Sequence, residues 1–199
     1  MLPTLHEELI ASNISRYSSL STAEMAYFMT LLETRSIRKK EYLLRAGEVC
    51  RYDYFITKGC VKVCFTDEKE NERIMKFATE NSWVIDLESF LNNKPSSFYI
   101  QAIEDTEYFR LSQSSYRLLY KVVPQFEKFS IEHWRNGFIA LHQRIMQNLS
   151  MSAEERYQLF KNKYPGLEQR IPQKLVASYL GVTPEFIGKL RRKYTAQLS

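Results

Sequence analysis

Cysteine, glycine and proline are scarce in this chain, and long apolar runs are absent. Its 199 residues include three cysteines, six glycines and six prolines. Three thiols cannot build a framework of several disulfides, and they are too few for an iron–sulfur cluster held by four cysteines. No segment approaches the roughly 20 consecutive apolar residues that span a bilayer. The residues after Met1 lack the basic and apolar regions of a signal peptide, so we expect a cytoplasmic protein with no membrane association.

Histidine is also scarce, and its placement argues against metal and acid–base chemistry. The three histidines are His6, His133 and His142. None lies within 37–111, so a barrel enzyme with a histidine-bound metal there is excluded. The sequence also lacks a P-loop, a Gly-x-Ser-x-Gly motif and a GxGxxG motif. We therefore expect no catalytic residue, no metal and no cofactor, and we interpret the chain as a non-enzyme. Haem ligation by a histidine is the weaker alternative.

Positive charge is concentrated near the C-terminal end. The segment from Lys161 to Ser199 has eight lysines and arginines against two glutamates, which gives it a charge of +6. Because the whole chain carries +5, the first 160 residues carry −1. A near-neutral body with a basic end favours a polyanionic partner such as DNA, since clustered cations release counterions from phosphate. A solvated basic tail is the alternative.

The middle of the chain has the pattern of an antiparallel β structure. Aromatic and β-branched residues alternate with polar ones in short runs at 42–44, 54–56, 61–65, 74–77, 83–85, 98–103 and 108–111. Turn signals such as Lys58-Gly59 separate these runs, which predicts an antiparallel barrel or sandwich of about 75 residues. Cys60 and Cys64 share one face of a predicted strand. We interpret them as small buried side chains, with a redox-active thiol as the alternative.

Helical patterns precede and follow this region. A capping box at Ser21 predicts a short helix, and another short helix is expected near 116–123. A long helix then extends to about Ser150. Its apolar residues are spaced alternately by three and four, as in a coiled coil: Ile131, Trp134, Phe138, Leu141 and Ile145. This spacing predicts a dimer seam, and an amphipathic helix packed on its own domain is the alternative.

The most specific motif is a helix-turn-helix at 173–190. Ala177 is small enough for two helices to cross closely, and Gly181 lies where the turn favours a positive φ. Thr183 is suited to cap the second helix, and Pro184 to its first position. Any helical hairpin with such a joint shares part of this pattern. The basic residues on the second helix favour the DNA-binding interpretation.

The second helix supplies the predicted DNA contacts. These are Thr183, Glu185, Lys189, Arg191, Arg192 and Lys193. Since a recognition helix enters the major groove by its N-terminal part, Glu185 is placed to accept from cytosine, and Lys189 to reach guanine or a phosphate. Thr183 is a predicted phosphate contact. Alternatively, Glu185 only stabilises the helix dipole.

The order of β-roll, long helix and helix-turn-helix resembles the Crp/Fnr family of bacterial transcription regulators, over nearly the whole chain. The similarity is carried by 46–48, by the aromatic strand into Lys58-Gly59, by 101–107, by 170–173 and by the helix-turn-helix. It implies an α+β fold. The expected parts are an N-terminal antiparallel β-roll similar to the cyclic-nucleotide-binding jelly roll, a long dimerisation helix, and a C-terminal helix-turn-helix domain with a truncated wing.

The resemblance also implies an effector pocket, from which this sequence departs. Ile85 falls at the family's cassette glycine, Asp86 at the ribose-binding glutamate, Ser96 at the phosphate-binding arginine and Ser97 at the small hydroxyl residue. Loss of the arginine removes a charge-assisted contact of roughly 1.5–3 kcal/mol. Lys94 is a nearby substitute of weaker geometry. Cyclic AMP is therefore not expected to bind, and the effector is unidentified.

These observations predict three domains and one function. The β-roll sensor with flanking helices occupies 1–123, the dimerisation helix 124–150 and the helix-turn-helix domain 151–199. We expect a homodimeric, sequence-specific regulator of transcription that binds double-stranded DNA, with RNA polymerase as a further candidate partner. The wing predicted to be short motivates an alternative, a ligand- or protein-binding module that has lost DNA binding.

Overall fold

The computed structural model describes residues 4–196, which form two compact units. The first unit comprises the described residues up to Val63 together with Phe77–Phe138. The second comprises Cys64–Lys76 together with the described residues from Ile139 onward. Residues 197–199, the last part of the segment in which a truncated wing was expected, lie outside the described residues.

The strands form two four-stranded sheets. The strands are β1 (Glu33–Ile37), β2 (Tyr42–Leu44), β3 (Tyr52–Lys58), β4 (Val61–Thr66), β5 (Glu72–Ala78), β6 (Ser82–Val84), β7 (Tyr99–Ala102) and β8 (Thr106–Ser112). One sheet has the order β1-β8-β3-β6 and the other β2-β7-β4-β5. The pairs of β8 with β1 and β3, of β3 with β6, and of β2 with β7 are antiparallel. The predicted antiparallel β-roll is confirmed.

Helices precede, interrupt and follow the sheets. They are α1 (Leu5–Ser15), α2 (Thr22–Thr30), α3 (Leu87–Asn92), α4 (Gln113–Val122), α5 (Pro124–Ser150), α6 (Ala153–Lys163), α7 (Leu167–Arg170), α8 (Gln173–Leu180) and α9 (Pro184–Ala196). The capping box predicted at Ser21 is present at the start of α2, and Ser152 forms another at the start of α6. The predicted α+β class is therefore confirmed, with a long helix between the β-roll and the C-terminal helices.

An aromatic cluster forms the core of the first unit. The Phe126 ring of α5 lies 5.5 Å from Phe28, 5.4 Å from Phe129 and 5.3 Å from Tyr116, and all four side chains are buried. Burial of each such ring stabilises the unit by roughly 1.5–3 kcal/mol. Since the four rings belong to α2, α4 and α5, the cluster fixes the first half of α5 within the β-roll unit.

The connection between β3 and β4 depends on one glycine. Gly59 has φ +92°, and a Cβ at this position lies 2.5 Å from the carbonyl oxygen of Asp105. The turn therefore requires both the left-handed conformation and the missing side chain of glycine. Cys60 follows Gly59 directly and Cys64 lies in β4. Both are buried, as is Cys50, so the prediction of small buried side chains is confirmed.

Four elements were not predicted from the sequence. Strand β1 exposes most of its polar side chains, so it lacks the alternation that identifies a strand. Helix α1 begins with a capping box of Thr4 and Glu7, and it holds His6 with its ring 6.5 Å from that of Phe109. Helices α3 and α7 have six and four residues, which is too short for a helical period to be seen.

Candidate nucleic-acid interface and effector site

Helices α8 and α9 form the predicted helix-turn-helix. Gly181 ends α8 with φ +68°, the left-handed conformation expected at a helix C-terminus. The hydroxyl of Thr183 accepts a hydrogen bond from the amide of Phe186 at 3.3 Å, and α9 begins at Pro184. Both caps follow from local sequence chemistry, and both predictions about the turn are confirmed.

The core between the two helices is small and completely apolar. Val176 and Ile187 are fully buried, Ala177 is 1% exposed, and Leu180 and Leu190 are nearly buried. The small side chain of Ala177 permits close packing where a larger residue requires separation of the helices. Burial of Ile187 and Leu190 orients α9, so its opposite face is directed to solvent.

The predicted DNA contacts fall into two groups. Thr183, Glu185, Lys189 and Arg192 are exposed, and the last three are spaced by four and three residues, which places them on one face of α9. Phe186 is also exposed, by 36%, beside Glu185. Phe186 was not among the predicted DNA contacts, all of which are polar or charged residues. The exposed group combines acid, base and aromatic chemistry at the N-terminal part of α9.

Arg191 and Lys193 instead contact acids of neighbouring helices. Arg191 donates to the carbonyl oxygen of Glu168 at 2.9 Å and lies 3.9 Å from its carboxylate. Lys193 forms an ion pair of 2.7 Å with Glu154. The hydroxyl of Tyr157 donates to the Glu168 carboxylate at 2.6 Å, and burial raises the pKa of Tyr157 to about 12. These contacts attach α9 to α6 and α7 and so support its orientation.

The predicted dimer seam lies on α5, and four of its five residues are exposed. Exposed fractions are 55% for Ile131, 71% for Phe138, 52% for Leu141 and 50% for Ile145. Large apolar side chains exposed at heptad spacing on one helix are typical of an interface. Trp134 differs, because it is half-buried and its ring stacks on Tyr116 at 6.0 Å. Its packing therefore belongs to its own unit.

The four predicted effector residues lie around the segment between β6 and β7. Asp86 and Ser96 are buried, Ile85 is half-buried and Ser97 is exposed. The hydroxyl of Ser96 donates to the Asp86 carboxylate at 2.6 Å. The second carboxylate oxygen of Asp86 accepts from the amide of Ser89 at 3.1 Å and caps α3. Both oxygens of Asp86 are thus used within the segment.

A lysine close to this segment in the sequence lies beside an acid. Lys94, the candidate substitute for the missing arginine, is exposed and lies 4.0 Å from the carboxylate of Glu88.

Within residues 4–196 no cluster of three histidine, cysteine or acidic side chains has the geometry of a metal site. No helix in the same part of the chain is long and apolar enough to cross a membrane.

Comparisons with known proteins relate both the β-roll and the whole chain to one group of regulators. Residues 34–121 match the family model of the cyclic nucleotide-binding domain. The cAMP-activated global transcriptional regulator CRP of Salmonella typhimurium is 21% identical over 179 residues, which cover 83% of this chain and 84% of that protein. The structure is similar to the c-di-GMP-responsive global regulator CLP of Xanthomonas campestris, with a TM-score of 0.69 and 12% identity over 89% of this chain and 93% of that one.

The residues of the effector segment do not fit a cyclic nucleotide. A cyclic phosphate is neutralised best by a guanidinium that donates two hydrogen bonds. Ser96, which the resemblance places at that position, has a neutral hydroxyl, and its proton is directed to Asp86. Asp86 in turn caps α3, so a ribose hydroxyl must compete with two bonds that the folded segment already contains. The domain family is retained, whereas the chemistry that recognises a cyclic phosphate is absent from these positions.

The order of domains completes the comparison. A protein of the Crp/Fnr family from Eubacterium rectale has a TM-score of 0.66 and 17% identity over 89% of this chain and 85% of that one. In the present chain the matched β-roll is followed by the long helix α5 and by the helix-turn-helix of α8 and α9. Residues 34–121 thus match the cyclic nucleotide-binding domain family, and the chain is similar in sequence to CRP and in fold to a regulator of the Crp/Fnr family.

Proposed function

We propose that this protein is a homodimeric, sequence-specific DNA-binding regulator of transcription, with α9 as its recognition helix. The observation that carries the proposal is the division of α9 into two faces. Glu185, Lys189 and Arg192 are exposed on one face, while Ile187 and Leu190 are buried on the other. A helix with this division presents its N-terminal part and a row of polar side chains to the major groove.

The exposed side chains have separate roles in the proposed complex. Glu185 accepts from the amino group of cytosine, and Phe186 contacts a thymine methyl group. Lys189 and Arg192 reach guanine or backbone phosphates, and Thr183 donates to a phosphate near the turn. Arg191 and Lys193 also contribute positive charge. Their contacts with Glu168 and Glu154 support a main role in holding α9 in place.

The proposed dimer uses the exposed seam of α5. Ile131, Phe138 and Ile145 are seven residues apart and expose at least half of their side chains, and Leu141 lies between them. Removal of such residues from water in a second copy stabilises the pair by about 25 cal/mol per Å² of buried apolar surface. Two recognition helices in a symmetric dimer fit half-sites about 34 Å apart. The three parts, residues 1–123, 124–150 and 151–199, are then sensor, dimerisation helix and DNA-binding domain.

We further propose that cyclic AMP is not the effector and that the protein acts in the cytoplasm. The Asp86–Ser96 hydrogen bond supports the first statement, because it uses the two groups placed where ribose and phosphate are recognised in the resemblance. RNA polymerase is the partner expected of a regulator that activates transcription, and contact with it belongs to the same proposal. No step of this function requires catalysis.

Selection from a pool of randomised DNA duplexes tests the proposal. The purified full chain is mixed with the pool at moderate salt, and the retained duplexes are sequenced. Recovery of a site with two-fold symmetry, with half-sites about one helical turn apart, is the expected result. Failure to retain any duplex, with a folded protein confirmed by circular dichroism, refutes DNA binding and favours a ligand- or protein-binding module.

Single substitutions then assign the roles on α9. Lys189→Ala is expected to weaken binding to the selected site by about 1–3 kcal/mol if it reads a base, or to reduce the salt slope by about 1 if it contacts phosphate. Glu185→Ala is expected to relax the preference at one base pair. Lys174→Ala, which removes an exposed lysine of α8 outside the proposed face, is the control. Equal losses for Lys189→Ala and Lys174→Ala refute the proposed face.

The seam is tested by the mass of the protein in solution. Phe138→Glu places a charge in the proposed apolar contact, so the dimer is expected to dissociate into monomers in light scattering after gel filtration. Gln125→Glu introduces the same charge at an exposed position of α5 outside the seam and is expected to leave the mass unchanged. A wild-type protein that is monomeric at all concentrations contradicts the homodimer.

A further inference from the structure

A cleft lies entirely within the second unit, and no described residue of α9 is among those that line it. It has a volume of about 390 Å³ and is lined by α5, α6 and α8. Three cations line it, namely Arg144, Arg156 and Lys163, together with the amides of glutamine and asparagine side chains. No aspartate or glutamate is among the described residues that line the cleft. Sites for small molecules have about this volume and a few converging polar groups.

Arg144 is held by carbonyl groups only. Its guanidinium donates to the carbonyl oxygens of Ile74, Met75 and Tyr179, with distances of 3.1 Å to Ile74 and 2.7 Å to Tyr179. It also lies 3.7 Å from the centre of the Tyr179 ring. Among the described residues no carboxylate forms an ion pair with it. Its position is therefore fixed, while its full positive charge has no opposite charge beside it.

Arg156 has the same arrangement. It donates to the carbonyl oxygens of Asn148 at 3.2 Å, Met151 at 3.4 Å and Leu180 at 3.2 Å. Its Nε is buried and has no hydrogen-bond partner in the described part of the chain. A guanidinium has five N–H groups, so three bonds leave two donors. In Arg156 one of these two is the buried Nε–H, which leaves one Nη2–H for a further acceptor, whereas Arg144 keeps two N–H groups.

Lys163 adds a third positive charge at the end of α6. Loss of hydrating water beside the cleft and the nearby charge of Arg144 lower its pKa. A lowered pKa means that the protonated amine is disfavoured by its surroundings, and an anion in the cleft relieves this repulsion. Three cations without an acidic residue in one concave site are the arrangement that recognises a multiply charged anion.

We infer that the cleft between α5, α6 and α8 binds a small phosphate ester. A phosphate group has three acceptor oxygens and close to two negative charges, so it satisfies two guanidinium groups and an ammonium at once. A single carboxylate satisfies one guanidinium. Gln143, Gln147 and Asn162 supply the amides that hydrogen-bond to hydroxyl groups of such an ester. Binding at this cleft does not depend on DNA binding, so each can fail without the other.

Titration calorimetry of the full chain at low salt tests the inference, with ribose 5-phosphate as the probe. Ribose, inorganic phosphate and citrate are the comparison ligands. Ribose 5-phosphate is expected to bind more tightly than inorganic phosphate, and ribose is expected not to bind. Absence of binding by both phosphates at millimolar concentration overturns the inference. Tighter binding of citrate than of ribose 5-phosphate overturns the assignment to phosphate esters.

Variants locate the site. Lys163→Gln removes one charge and is expected to weaken ribose 5-phosphate binding about tenfold. Lys174→Gln makes the same change at an exposed lysine outside the cleft and is expected to leave affinity within about twofold. Arg156→Lys keeps the charge but loses the planar donors, so about tenfold weaker binding is expected if its thermal unfolding is cooperative. Equal weakening by Lys163→Gln and Lys174→Gln overturns the inference, because binding then reflects overall charge only.

Discussion

Asp86 offers the sharpest test of how the effector segment is built. It is buried, and its carboxylate accepts from the amide of Ser89 at 3.1 Å and from the hydroxyl of Ser96 at 2.6 Å. Asp86→Ala removes the cap of α3, which costs about 1 kcal/mol. It also removes a charge-assisted hydrogen bond worth about 1.5–3 kcal/mol. The Ser96 hydroxyl can turn to the carbonyl oxygen of Phe98 at 2.8 Å, which limits the second loss. We expect a total of about 2–3 kcal/mol.

Urea denaturation followed by tryptophan fluorescence measures this loss. The chain has two tryptophans, Trp83 and Trp134, and both belong to the first unit, so the signal reports the unfolding of that unit. Asp86→Asn keeps an acceptor for Ser89 and is expected to cost about 1 kcal/mol. Glu88→Ala, at an exposed neighbouring position, is expected to stay within about 0.5 kcal/mol of the wild type.

Two results refute the structural role of Asp86. One is a loss below about 0.5 kcal/mol for Asp86→Ala, equal to that of Glu88→Ala, since the carboxylate is then not needed by the fold. The other is binding of cyclic AMP to the wild-type protein that Asp86→Ala abolishes without a change in stability. In that case the carboxylate recognises a ribose, and the Ser96 contact is replaced when the ligand binds.

Three further predictions concern the β-roll unit. Gly59→Ala is expected to destabilise it by about 2–3 kcal/mol, because the residue has φ +92° and the added Cβ meets the Asp105 carbonyl oxygen at 2.5 Å, as measured by urea denaturation. Tyr116→Phe is expected to cost about 2–3 kcal/mol in the same assay, because it removes the hydroxyl that donates to the buried Asp53 carboxylate at 2.7 Å. Burial raises the pKa of Cys50 from 9.0 to about 11. The unfolded thiol therefore ionises first, and this group lowers the free energy of unfolding by up to about 1.4 kcal/mol per pH unit between pH 9 and 11, a contribution that Cys50→Ala removes.

Each of these predictions has a control and a contrary outcome. Gly47 also has a positive φ, but a Cβ added there meets no atom within 4 Å. Gly47→Ala is therefore expected to lower the free energy of unfolding by less than Gly59→Ala does. If it costs as much as Gly59→Ala, backbone strain alone explains both. Tyr27→Phe, at a half-buried tyrosine, is expected to keep the free energy of unfolding within about 0.5 kcal/mol of the wild type. If Tyr116→Phe costs no more than Tyr27→Phe, the Tyr116 hydroxyl does not have the proposed role. If the free energy of unfolding of Cys50→Ala falls with pH as steeply as that of the wild type, other groups cause the fall.

Local chemistry explains why much of the fold was predictable. The turn between α8 and α9 is set by Gly181 and Thr183 acting on the adjacent backbone, and both act within three residues. Strand β8 is visible in the sequence because buried and less buried residues largely alternate along it. Strand β3 is visible as a short apolar run because it is buried on both faces. Strand β1 was missed since its side chains are mostly exposed, and α3 since one short turn has no period.

Contacts between distant residues were not predictable in the same way. The sequence identifies Asp86 and Ser96 as positions of interest, but only the fold directs their side chains at each other across ten residues. Trp134 fits the heptad spacing, and only tertiary packing stacks it on Tyr116. No spacing rule relates Arg144 to a carbonyl group 70 residues earlier in the chain, at Ile74.

The sequence by itself determined the order of the β region, the long helix and the helix-turn-helix, and the absence of an arginine at residue 96. These depend on hydrophobic periodicity, on cap chemistry and on the identity of single residues, which act over one or two turns of chain. Only the tertiary structure decided which cations of the C-terminal region remain exposed on α9, which are neutralised by Glu168 and Glu154, and which converge on a cleft. The physical reason is that charge compensation depends on distances of a few ångströms between elements that are remote in sequence.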